Sequence, residues 1–290
     1  MNALRLSVVV PVYNESGVVK ELVERCLRAA DEATGGAFEL LVVDDASDDR
    51  TPDLLRKMSG PRLRVLRLEQ NVGQYRATRA GLKAVSGEWV AVLDGDLQDP
   101  PELLADLFKA ARECELVFAV KTARTETGFL RLGQAGFHLV QSLLGGAAPP
   151  RGAGSYCLMK RGVAESVAAV DLKNANLAAV AARVLKKKSA GSSVVEYQKS
   201  RRYDDHSRVG AWGLVREALG SFFVSGALGR LLAVLSGLSL LVAAVLTAGG
   251  AGPAFFVFAG LGAGLAVSAV LVAVWSRMCF SGVSAGGRTR

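Results

Sequence analysis

Three aspartates and a glutamine crowd one short stretch, Asp94-Gly-Asp96-Leu-Gln98-Asp99-Pro100-Pro101, directly after the apolar run Trp89-Val-Ala-Val-Leu93. Hard oxygen donors of this kind suit Mg²⁺ or Mn²⁺, ions that often take one or two carboxylates from the protein and phosphate oxygens from a substrate. Asp94 and Asp96 lie two apart, so an extended chain points both the same way. The same residues also fit an acidic turn before a helix, because Asp99-Pro-Pro-Glu102 is a good helix start. Taken alone, the stretch leaves both readings open.

Whatever the acids do, the elements around them must bring them to one place. Trp89–Leu93 reads as a buried parallel strand, which puts the acids where the strand ends, the position at which open α/β sheets bind ligands. Leu6-Ser-Val-Val-Val10 is a similar run closed by Pro11 and followed by a helix from about Gly17 to Ala33. Glu39-Leu-Leu-Val-Val43 ends in Asp44-Asp45-Ala-Ser47-Asp48-Asp49-Arg50-Thr51-Pro52, with a helix expected from Asp53 to Met58. Leu63–Leu68 is a third strand, leading through Asn71-Val-Gly73-Gln74 into a helix that reaches about Val85, and Val117–Val120 lies in a fifth. Strands alternating with helices predict a doubly wound, mostly parallel sheet with helices on both faces. No G-x-G-x-x-G follows the first strand, so a dinucleotide cofactor is not expected.

These motifs, in this order, resemble the family 2 glycosyltransferases of the GT-A fold. The residues that carry the resemblance are Pro11-Val-Tyr-Asn-Glu15, Val43-Asp-Asp-Ala-Ser47 with Asp49 and Thr51, Asn71-x-Gly73, and above all Asp94-Gly-Asp-Leu-Gln-Asp-Pro-Pro-Glu102. The branch they are most similar to is the polyprenyl-phosphate glycosyltransferases, such as dolichol-phosphate mannose synthase and the undecaprenyl-phosphate sugar transferases. The resemblance implies a Rossmann-like sheet and an inverting transfer of one sugar from a UDP- or GDP-linked donor to a polyisoprenyl phosphate. It also implies that Asp94, Asp96 and Gln98 hold Mg²⁺ or Mn²⁺, which offsets charge on the departing nucleoside diphosphate. Pro11, Tyr13, Glu15, Asp44, Asp45 and Asp94 would then line the nucleotide-sugar pocket. For the segment from Asp45 to Asp48, helix capping ahead of Thr51-Pro52 is the structural alternative.

Further along, the match loosens. Where the family shows Gly-x-Arg-x-x-Arg, this chain has Ala119-Val-Lys121-x-x-Arg124, and Lys meets a phosphate as a point charge without the bidentate fork of Arg. By the resemblance, Lys121, Arg124, Arg131 and Lys199 would hold the acceptor phosphate. Asp96, Arg124, Arg202 and Arg208 would carry the catalytic roles, with the basic loop Tyr197-x-Lys199-x-x-Arg202 to Arg208 bridging the two anions. Ser155 and Cys157 stand where an Asp and an Arg are expected. A phosphate monoester is already largely ionised near neutral pH, so it needs little help from a general base. Two rival readings stay open: transfer to another acceptor, such as a lipid, polysaccharide or protein, or a degenerate homologue serving as a membrane scaffold.

Charge and hydropathy are unevenly placed. From Leu231 to Ser276 the 290-residue chain has no Asp, Glu, Lys or Arg, and Gly249-Gly-Ala-Gly-Pro253 divides that tract. Each half holds roughly 20 residues, about what a bilayer core requires. The sequence therefore predicts two transmembrane helices within residues 228–277, preceded by an interfacial amphipathic helix over 209–227 and followed by a tail over 278–290. The GT-A domain is expected over residues 1–208. The net charge of +8 would permit nucleic-acid binding. However, Lys186-Lys-Lys188, Lys199 to Arg208, Arg216 and Arg230 lie just ahead of the apolar tract, which favours a lipid bilayer as partner and no nucleic acid. The expected location is the inner or plasma membrane, multi-pass, with the catalytic domain cytoplasmic and no signal peptide. Four scattered cysteines show no metal or disulfide spacing. Gly260-Leu-Gly262-Ala-Gly264 would allow close helix packing, with compositional drift as the alternative; a homo-oligomer is compatible with the sequence, which does not fix the oligomeric state.

Overall fold

The apolar runs form strands close to their expected limits: β1 Leu6–Val12, β2 Phe38–Asp44, β3 Leu63–Arg67, β4 Trp89–Val92 and β5 Leu116–Lys121. The first four alternate with helices α1 Val19–Thr34, α2 Thr51–Lys57 and α3 Gln74–Ala84, and α4 Leu104–Ala110 leads to β5. Beyond them come β6 Ala153–Lys160, α5 Arg161–Ala169, α6 Leu177–Lys188 and β7 Ser192–Tyr197, and finally α7 Ala227–Ala248 and α8 Gly252–Cys279. The structure, a computed structural model, describes residues 5–58, 60–122, 147–172, 175–188, 190–198, 227–248 and 252–279.

One seven-stranded sheet runs in the order β3-β2-β1-β4-β6-β5-β7. The pairs β1–β2, β1–β4, β2–β3 and β5–β7 are parallel, whereas β6 is antiparallel to both β4 and β5. Six strands therefore point one way and β6 alone is reversed, so the sheet is mixed and, as expected, mostly parallel. Every residue of β1 and β2 is buried, because helices cover both faces. Strand alternation sends Val9, Leu41, Val43 and Val92 to the face of α3, α5 and α6, and Val8, Val10, Leu40 and Val42 to the face of α1 and α4.

Helices do form in the apolar tract, but among the described residues no helix is long and apolar enough to cross a membrane. That finding corrects the expected pair of transmembrane helices, and with it the multi-pass inner- or plasma-membrane location with a cytoplasmic catalytic domain. The two helices of this tract are α7 and α8. They form a hairpin instead: the buried Ser236 hydroxyl donates to the Gly262 carbonyl at 2.8 Å, and a Cβ on Gly262 would meet Leu240 Cγ at 2.7 Å. Cys279 packs against the core formed by α5 and α6. The outer face of the hairpin, with Leu238, Leu241, Val267 and Leu271, is more than half exposed.

Candidate active site at the carboxyl edge of the sheet

Because β1, β2, β4, β5 and β7 run the same way, the loops that follow them meet at one edge. The reversed strand β6 contributes its amino end to that edge. Val92 pairs with Cys157, and carrying the same register two residues on sets Asp94 opposite Ser155. Gly95 follows Asp94 where the chain presses on the end of β1: an added Cβ would meet the Pro11 carbonyl oxygen at 2.8 Å and Val12 Cγ1 at 2.9 Å. The absence of a side chain at position 95 thus lets the chain between Asp94 and Asp96 lie against the end of β1.

The loops after β1, β2 and β4 each contain one non-glycine residue with positive φ: Asn14 at 56°, Ala46 at 58° and Leu97 at 56°. Such conformations are uncommon and persist where surrounding contacts over-determine them. Hydrogen bonds do so here. Asn14 and Asp48 exchange two bonds, Asn14 Nδ2 to Asp48 Oδ1 at 2.7 Å and the Asp48 amide to Asn14 Oδ1 at 3.0 Å. The Asn14 amide donates to Ser47 Oγ at 3.0 Å, and the Glu15 amide to Thr51 Oγ1 at 2.9 Å. Beyond Leu97, the Gln98 amide turns back onto Asp96 Oδ1 at 3.1 Å.

Several acids at this edge have defined work. Asp45 is buried, and its two oxygens accept the amides of Val72 and Gly73 at 2.8 and 2.9 Å, fastening the loop that opens α3. Asp44 accepts the Ser47 amide on Oδ1 at 2.9 Å; its Oδ2 is buried without a hydrogen bond, 3.6 Å from Arg67 Nε, too long for one. Tyr13 is exposed and Glu15 half-buried beside them, while Pro11 is buried. Asp94 accepts Gln74 Nε2 at 2.6 Å. Its carboxyl is pushed up to about 6, first by burial and then by the charge of Asp99, with Asp96 adding and Lys121 opposing. Asp99 is wholly buried, accepts the Tyr197 hydroxyl, and lies 3.3 Å from Lys121 Nζ. Gln98 is buried next to it.

Sequence reasoning therefore placed Pro11, Tyr13, Glu15, Asp44, Asp45, Asp94, Asp96, Gln98 and Lys121 at one edge, and the structure brings all nine there. Arg124, Arg131, Lys199, Arg202 and Arg208, and residues 209–226 of the expected interfacial helix, lie outside the described residues. Gln74, Ser155 as its neighbour, Asp99 and Tyr197 were not assigned roles from the sequence. Gln74 directly follows the Asn71-x-Gly73 motif, which was the available signal. Asp99 read as a helix start, yet the turn at Pro101–Leu103 has no side-chain cap.

Among the described residues, no group of three or more His, Cys, Asp or Glu side chains is arranged to hold a metal ion. Two carboxylates are nevertheless a sufficient protein share for Mg²⁺ when phosphate oxygens and water complete the shell. The donor set fits on chemical grounds: Asp94 and Asp96 are hard oxygen ligands, and Asp94 sits in an excess of negative charge that a cation would relieve.

A mixed sheet with flanking helices and an acidic loop at its carboxyl edge is the architecture of the GT-A glycosyltransferase enzymes. The family model for Glycosyl transferase family 2 matches residues 7–167, and the chain belongs to that family. It is 36% identical over 175 residues to an uncharacterized glycosyltransferase of Bacillus subtilis, YkcC, covering 59% of this chain and 54% of that protein. It is 38% identical over 130 residues to the undecaprenyl-phosphate 4-deoxy-4-formamido-L-arabinose transferase of Edwardsiella ictaluri, covering 43% of this chain and 40% of that one. The matched stretch thus spans about half the length of these relatives or less. In fold it resembles a mannosyltransferase of Pyrobaculum calidifontis in complex with GDP-Man and Mn²⁺, with a TM-score of 0.52 at 18% identity over 96% of this chain and 89% of that one. A glucosyl-3-phosphoglycerate synthase of Mycobacterium tuberculosis gives a TM-score of 0.51 at 20% identity, covering 78% of this chain and 79% of that one.

Proposed function

We propose that this chain transfers a single sugar from a nucleoside diphosphate sugar to a polyisoprenyl phosphate, with inversion at the anomeric carbon. The observation that carries this reading is the convergence of the acidic loop of β4 with the Tyr13–Glu15 and Asp44 loops, which the Asn14–Asp48 and Glu15–Thr51 bonds hold together. Exposed Tyr13 and the unsatisfied Asp44 oxygen would receive the base and ribose, a face for stacking and an acceptor for their N–H or O–H groups. Asp94 and Asp96, with Gln98 beside them, would hold Mg²⁺ or Mn²⁺, which supplies positive charge against the leaving diphosphate. Lys121, with Arg124, Arg131 and Lys199, would hold the acceptor phosphate, and Arg202 and Arg208 would keep the two anions together.

Three observations support the acceptor. A relative 38% identical over 130 residues is an undecaprenyl-phosphate transferase, and the hairpin of α7 and α8 presents an apolar face suited to an isoprenoid tail. Ser155, beside Asp94, brings no carboxylate to the acceptor side, which suits a nucleophile that arrives already ionised. The test is a transfer assay on the purified chain with Mn²⁺ or Mg²⁺, a panel of UDP- and GDP-sugars, and undecaprenyl phosphate in detergent. A lipid-linked sugar is the expected product. Metal-dependent nucleotide binding without that product would move the acceptor elsewhere; no nucleotide binding at all would make the chain a scaffold.

A further inference from the structure

Gln74 is the first residue of α3, and its position is set from outside its own helix. The buried Asp45 carboxylate holds the two preceding amides, and Gly73 between them adopts φ 86°, a conformation that disfavours any side chain. A carboxylate at the end of β2 thereby pins the start of α3. From there the Gln74 amide reaches Asp94 Oδ1 at 2.6 Å and Ser155 Oγ at 3.3 Å. An amide nitrogen has two hydrogens, so one group can serve both acceptors. Ser155, set opposite Asp94 on β6, thus shares the Gln74 amide with it, and the donor that holds Asp94 is neutral.

The neutrality is the point. A lysine or arginine at position 74 would pair with Asp94 and cancel the charge that attracts a cation. An amide fixes the carboxylate's orientation and leaves the charge in place. Oδ1 keeps a second lone pair and Oδ2 takes no part in the Gln74 bond, so the contact leaves room for a metal. Groups that orient metal ligands in this way are commonly worth 10- to 100-fold in metal affinity.

We propose that Gln74 is a positioning residue for the divalent-cation site, holding Asp94 in the orientation it shares with Asp96, under the control of the Asp45 clamp on Val72 and Gly73. This rests on the reading of Asp94 and Asp96 as cation ligands given above. The measurement is Mn²⁺ affinity of the full chain at saturating UDP or GDP, by electron paramagnetic resonance of free Mn²⁺, without sugar transfer. Q74A is expected to weaken Mn²⁺ binding about 10-fold or more, while the thermal midpoint of the metal-free protein stays within a few degrees of wild type. Q74K, which still donates to Asp94 but adds a charge, is expected to weaken it further than Q74A. If wild type binds Mn²⁺ and Q74A binds it within two-fold of wild type, the positioning role is wrong although the cation site stands. If Q74K binds as tightly as wild type, the neutrality argument and with it the proposal fail. If wild type binds no Mn²⁺ with either nucleotide, the cation site itself falls and this role with it.

Discussion

Asp99, at the end of the acidic loop, accepts the hydroxyl hydrogen of Tyr197 from the last strand of the sheet. The same Asp99 oxygen lies 3.3 Å from Lys121 Nζ at the end of β5, while the other is buried with no hydrogen-bond partner. Burial, then the bond to Asp99, holds the Tyr197 hydroxyl far above its ordinary pKa, so the phenol keeps its proton and donates. The Thr122 amide and hydroxyl both donate to the Tyr197 carbonyl, at 2.9 and 3.0 Å, so the ends of β5 and β7 are tied to each other as well as to Asp99. Tyr197→Phe removes one donor from a buried carboxylate. It is expected to cost about 2–3 kcal/mol, read as a lower urea midpoint with an unchanged slope.

Gly95→Ala tests the approach of β1 to the acidic loop. Its Cβ would lie within 3 Å of the Pro11 carbonyl oxygen and of Val12 Cγ1, and the oxygen belongs to backbone that cannot swing aside. The variant is expected to lose about 1–3 kcal/mol of stability and to lower Mn²⁺-dependent nucleotide binding, because the segment that carries Asp94 and Asp96 is pushed off the end of β1. Calorimetric titration with UDP or GDP, with and without Mn²⁺, checks both halves. Unchanged metal dependence would separate the close approach from the site.

The strands that build this edge were legible because a strand covered on both faces is a continuous apolar run, as Val8–Val10 and Leu40–Val43 are. Strand β6 was not read as a strand: it opens on Ala153-Gly-Ser155, and nothing in its composition announces that it runs backwards. The acids were legible as a group but not in their separate work. Asp45 serves amides 27 and 28 residues away, and Asp99 a hydroxyl 98 residues away, so their partners exist only after the sheet has formed. The apolar tract was legible as two helices, and the inference from length and hydropathy to membrane spans is the one the structure overturned.

Within that hairpin, Ser236 and Gly262 define the crossing. Gly262→Leu would drive a branched side chain into Leu240 and toward the Ser236 carbonyl oxygen, 3.3 Å from the position of a Cβ. The helices must then separate and the Ser236–Gly262 bond must break. Far-ultraviolet circular dichroism is expected to retain the helical signal while proteolysis between α7 and α8 quickens several-fold. Ser236→Ala, which loses only a hydrogen bond, is expected to cost about 1 kcal/mol and to leave proteolysis near wild type.

At the opposite edge of the sheet, Glu39 sets a pH dependence that is independent of the site. Its buried carboxylate accepts Ser7 Oγ at 2.7 Å, Arg64 Nη1 at 2.7 Å and the Ser86 amide at 3.2 Å. Burial opposes the charge, but the three donors outweigh it and hold the carboxyl below its ordinary range. A carboxylate depressed in this way adds stability that is fully present above its unfolded pKa, near 4.5, and is lost as pH falls through the lower folded value. Arg64 is half exposed, so solvent screens its share, and the bonds from Ser7 and Ser86 carry more of the effect. Glu39→Gln is expected to cost about 1–3 kcal/mol at pH 7. Its loss of stability on acidification from pH 5 to pH 3 should be shallower than that of wild type in parallel urea titrations. Parallel acid limbs in the two proteins would show that Glu39 does not set the pH dependence.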